Sequence, residues 1–106
     1  MSKYFHISQG LRGCYMPDSA YVARVETRKE LKSFLESEAR DIRDAGYVGL
    51  GKRAIAWLAA ECWRNRGKVT LDFVAPYRDK SQIHYPYGLF CSPASREEWK
   101  EQESES

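Results

Sequence analysis

Hydrophobic and polar residues alternate near the start of the chain, shift to a helical spacing in its middle, and then alternate again. Tyr4 to Ser8 reads as a short strand with Phe5 and Ile7 on one face. Gln9 to Ser19 holds Gly10, Gly13 and the pair Pro17-Asp18 and reads as a loop. From Ala20 to Glu26 the period is two: Tyr21, Ala23 and Val25 point one way, and Val22, Arg24 and Glu26 the other, as in a half-buried strand.

Thr27-Arg28-Lys29-Glu30 then forms a capping box, with Thr27 as N-cap. Leu31, Phe34, Leu35, Ala39 and Ile42 continue a helical face that only Glu38 interrupts, Glu36 and Arg40 are spaced to pair, and Gly46 supplies a stop. This predicts a helix over 28–45. A second helix over 52–65 has the stripe Ile55, Leu58, Ala59, Cys62 and Trp63, with Trp57 about 200° from Ile55 at 100° per residue. Gly67 closes it. Lys68 to Val74 alternates with Val69, Leu71 and Phe73 on one face. Gln82 to Tyr87 is a returning strand that Pro86 assigns to an edge, Leu89 to Ser95 is irregular, and Ser95-Arg96-Glu97-Glu98 is a second capping box opening a short helix anchored by Trp99.

The order β-β-α-α-β-β-α groups strands with strands and helices with helices. It predicts an α+β fold: a small antiparallel sheet of about four strands with two main helices packed on one face. One domain over 1–101 is expected, followed by a frayed acidic tail over 102–106. Hydrophobic residues are 42% and charged residues 30% of the chain, enough for one core without a metal or disulfide staple.

Cys14, Cys62 and Cys91 are odd in number and follow no leader-like segment, which points to reduced thiols in a cytoplasm. No apolar run is long enough to span a membrane. The net charge of +2 is unevenly spread: residues 1–51 carry net +1, 52–80 net +4 and 81–106 net −3.

Several chemistries can be weighed against these residues. Gly46-Tyr-Val-Gly-Leu-Gly51-Lys52-Arg53 meets the first seven positions of a phosphate loop, but Arg53 replaces the magnesium-binding hydroxyl and a helix, not a strand, precedes Gly46. What survives is a simple anion site at the helix start with Lys52 and Arg53. His6, Cys14, His84 and Cys91 suit zinc by type but lack any paired spacing. Cys14 or Cys91 with a histidine could act as a nucleophile, yet no strand-turn-helix elbow surrounds either. The expectation is therefore a protein without enzymatic activity or cofactor.

Basic and aromatic residues remain. Lys52, Arg53, Trp57, Arg64, Arg66 and Lys68, together with Tyr77, Arg78, Lys80, Tyr85 and Tyr87, form the candidate partner-binding set. Such residues anchor protein interfaces and also stack on bases and hold phosphates.

The stretch Tyr4-Phe-His-Ile-Ser-Gln-Gly-Leu-Arg-Gly-Cys-Tyr-Met-Pro-Asp18 resembles the start of short proteins carried by phages and mobile elements, and the size and clustered charge resemble those of anti-CRISPR proteins. That resemblance implies an inhibitor that occupies a surface of a bacterial CRISPR-Cas effector complex in the host cytoplasm. It transfers no site residue. Many such inhibitors are strongly acidic and this chain is not, which argues against DNA mimicry. A small nucleic-acid-binding accessory protein using the same patch is the alternative.

Overall fold

A computed structural model describes residues 2–11, 17–48, 51–64, 66–73 and 87–105. The elements are β1 (Lys3–Leu11), β2 (Pro17–Val25), α1 (Arg28–Asp44), α2 (Lys52–Trp63), β3 (Val69–Phe73), β4 (Tyr87–Pro93) and α3 (Arg96–Glu105). They form a small α+β domain in the expected order, with one four-stranded antiparallel sheet in the order β2-β1-β4-β3.

Alternation along each strand builds the core. Phe5 and Ile7, Ala23 and Val25, Leu71 and Phe73, and Leu89 and Cys91 point to one face. There they meet Leu31, Leu35 and Ile42 of α1 and Ile55, Leu58, Ala59 and Cys62 of α2. Tyr4 points to the opposite face, where its ring meets Trp99 of α3 at 5.8 Å. The two main helices therefore cover one face, as expected, and α3 crosses the other.

Both N-cap side chains accept as expected, and the second capping box closes fully. Glu30 N–H donates to Thr27 Oγ1 at 3.2 Å, and Glu98 N–H to Ser95 Oγ at 3.2 Å. Ser95 N–H returns a bond to the Glu98 carboxylate at 2.7 Å, whereas the Glu30 carboxylate accepts from Glu26 N–H at 2.9 Å, one residue before the N-cap.

Four local expectations need correction. The loop over Gln9 to Ser19 is narrower, because β1 runs to Leu11 and β2 starts at Pro17. Pairing carries the backbone through Gly10, with a register shift between Gln9 and Gly10. The stretch from Leu89, read as irregular, is the body of β4. Bonded to β1 on one side and β3 on the other, β4 is a central strand rather than an edge, and Pro93 sits at its last position, where the missing N–H costs least. A Cβ at Gly88 would stand 2.9 Å from the end of the Phe90 ring, so a larger residue there would have to displace that ring. Third, Glu36 pairs with Lys32 at 3.7 Å rather than with Arg40. Fourth, α3 continues to Glu105, through residues expected as a tail. Residues 82–86 lie outside the described residues.

Polar atoms are fitted around this core with equal specificity. Glu38, the break in the α1 stripe, accepts from Gln9 Nε2 at 2.6 Å and from the Tyr21 phenol. Gln102 Oε1 accepts from Val22 N–H at 2.6 Å while its Nε2 donates to Val22 C=O at 3.0 Å. One side-chain amide thus fills a rung on β2, a strand paired only with β1 within the sheet.

Candidate functional site

Helix α2 carries most of the describable candidate residues and sorts them onto different surfaces. Its inward stripe is Ile55, Leu58, Ala59 and Cys62. At 3.6 residues per turn, Arg53 and Arg64 both fall within about 40° of Trp57, on the side away from that stripe. All three are exposed, Trp57 at 51%.

The three tryptophans are treated unequally. Trp63 stacks on Phe5 at 6.1 Å and lies under Lys3 Nζ at 4.1 Å. Trp99 meets Tyr4, and Arg24 lies 5.3 Å above it. Among the described residues, Trp57 has neither a ring nor a cation partner. An indole left half in water forgoes a large apolar burial.

Beside it, Glu61 holds two cations at once. Arg64 Nη1 lies 3.6 Å from one carboxylate oxygen and Arg66 Nη1 3.6 Å from the other. The carboxylate is largely covered, with 17% of its side chain exposed, while the arginine side chains are 59% and 64% exposed. Glu61 therefore orients both guanidinium groups toward solvent and leaves the trio with a net positive charge.

The remaining candidates disperse. Lys68 places its ammonium 4.6 Å over the Phe90 ring, on the α3 face of the sheet, because Phe90 alternates with the inward Leu89 and Cys91. Tyr87 is not an exposed stacking platform: it stacks on Tyr47 at 5.0 Å and packs against the core. Tyr77, Arg78, Lys80 and Tyr85 lie outside the described residues, as do Cys14 and His84.

Lys52 faces a different feature. A cavity of about 170 Å³ opens between the last turns of α1 and the first turn of α2, with Ala39, Ile55 and Phe73 as its apolar floor and Arg40, Arg43 and Lys52 around it. Gly51, at φ 88°, is the N-cap and offers no side-chain acceptor, and α2 has no acidic residue in its first turn. Sequence reasoning passed over Arg40 and Arg43. The signal was their i,i+3 spacing one turn before Gly46, obscured by assigning Arg40 to Glu36.

Of the thiol and imidazole candidates among the described residues, Cys91 and His6 do not converge. Cys91 points into the core and His6 to the α3 face, where His6 Nε2 and Glu98 Oε1 are 3.0 Å apart. A hydrogen bond with Cys62, and then burial, push the Cys91 thiol well above its ordinary range, so it stays protonated and unreactive. Among the described residues, no three His, Cys, Asp or Glu side chains gather as a metal site would need. No described helix is long and apolar enough to cross a membrane.

No protein-family model matches the chain, and no curated protein or solved structure matches it.

Proposed function

We propose that this is a non-enzymatic binding protein that docks the outward face of α2 onto an acidic surface of a larger partner. The observation that carries this reading is Trp57, the one described indole without a partner, set between Arg53 and the Glu61-oriented Arg64 and Arg66. An aromatic anchor ringed by arginines is the usual composition of an interface centre. The resemblance of Tyr4 to Asp18 to phage-borne proteins supports a CRISPR-Cas effector complex in a bacterial cytoplasm as that partner, inhibited by occlusion. Plain nucleic acid is the less favoured partner. Glu61 offsets half of the Arg64–Arg66 charge, and a backbone-tracking groove depends on summed cations.

Affinity for a purified CRISPR-Cas effector complex tests the reading. The wild-type protein is expected to bind with defined stoichiometry, and Trp57→Ala to weaken binding tenfold or more. Charge reversal at Arg53 and Arg64 should lower the association rate most at low salt. Wild-type affinity in the Trp57→Ala protein would remove this face from the mechanism. Binding to bare DNA or RNA that falls steeply with salt would transfer it to nucleic acid.

A further inference from the structure

We propose that the cavity between α1 and α2 is a binding site for a small aromatic phosphomonoester. It is separate from the outward face of α2, since Lys52 turns to α1 while Arg53 and Trp57 turn away from it.

Its floor and its rim differ in chemistry. Ile55 and Phe73 are 5% and 1% exposed, so the floor is the surface of the packed core and holds its shape without a ligand. At the rim stand Arg40, Arg43 and Lys52, none of which has an ion-pair partner among the described residues. Among the described residues the one carboxylate lining the cavity, Glu36, is engaged by Lys32 at 3.7 Å. Three cations around one small opening repel one another, and an anion between them reverses the sign of that interaction. Arg43 also gains from the C-terminal end of α1. Lys52 has no such reason in its own helix, because it occupies the first turn of α2, where the helix field disfavours a cation.

Size and charge narrow the class. About 170 Å³ is well below the ~300 Å³ at which drug-sized ligands are held, and suits one ring with one charged head. A phosphomonoester carries about −1.5 to −2 near neutral pH, a better match to three cations than a carboxylate. Guanidinium forks hold phosphate oxygens in pairs, and Lys52 supplies a point charge. The ring would rest on Ala39, Ile55 and Phe73.

Phenyl phosphate, titrated calorimetrically and by amide chemical shifts, is the probe. Saturable binding is expected, at least tenfold tighter than inorganic phosphate or benzyl alcohol, with shifts centred on residues 51–55. The Arg40→Glu/Arg43→Glu protein should lose at least tenfold in affinity with an unchanged circular dichroism spectrum, and Lys52→Glu provides the same test should the double variant misfold. Trp57→Ala should bind phenyl phosphate as the wild type does. Phenyl phosphate binding no tighter than inorganic phosphate, or undiminished affinity in the folded charge-reversed protein, would overturn the assignment.

Discussion

On one face of the sheet, α1 and α2 place seven buried apolar side chains against eight from the strands; on the other, no described residue of α3 is itself buried, and Val22 of β2 is the buried side chain beside it. The first layer is held by apolar burial, at about 1.5–3 kcal/mol for each large side chain. The second is held by one tilted ring pair, a cation over a ring and the two bonds of Gln102, each of which nets about 1 kcal/mol or less in partly wet surroundings, together with the exposed His6–Glu98 contact. Burial therefore decides whether the domain folds, and the polar set decides where α3 lies.

That contrast can be broken by measurement. Leu35→Ala, at a fully buried position of α1, should lower the unfolding free energy by about 2–5 kcal/mol in urea titration. Trp99→Ala should cost only about 0.5–1.5 kcal/mol, and its main effect should be rapid hydrogen exchange in α3 while α1 stays protected. Equal losses in the two proteins would mean that α3 belongs to the same cooperative unit as the core. Gln102→Ala should be milder globally and visible chiefly as faster exchange of the Val22 amide.

The smallest effects concern pH, and they run in opposite directions on the two faces. Bonding from Ser95 N–H, and then from His6, holds the Glu98 carboxyl below its ordinary value of 4.5. A carboxyl lowered by folding contributes above its unfolded value and loses that contribution as pH falls through the folded one. Helix α3 should loosen in acid, and Glu98→Gln should flatten the response. Burial, and then Glu38, push the Tyr21 phenol above its ordinary value of 10.0. A raised group contributes below its unfolded value and fades as pH climbs beyond it, so the α1 face should weaken above about pH 10. Tyr21→Phe should remove that alkaline slope.

Much of this was legible from short-range chemistry. Thr27 with Glu30 and Ser95 with Glu98 announce two helix starts within four residues, and the alternation of Tyr21, Ala23 and Val25 announces a strand without reference to the rest of the chain. What escaped depends on neighbours distant in sequence. Gly88, Ser92 and Pro93 lower strand propensity locally, yet β4 lies between two partners whose ladders outweigh it. Glu38 looked like a flaw in a helical stripe until Gln9 and Tyr21 met it. The same held for the sites. Trp57 could be placed off the stripe from its angle alone, but no spacing rule separates it from a second-layer packing residue. Arg40 and Arg43 acquire meaning only when α2 begins beside them.

The side-chain amide that fills a rung on β2 has a consequence for how the chain is made. Val22 and Gln102 are 80 positions apart, so during synthesis the first hairpin emerges long before the residue that shields its outer rim. Over that interval the rim is open to strands of neighbouring nascent chains. Production yield should therefore depend on the last turn of α3 more than its slight contribution to equilibrium stability would suggest.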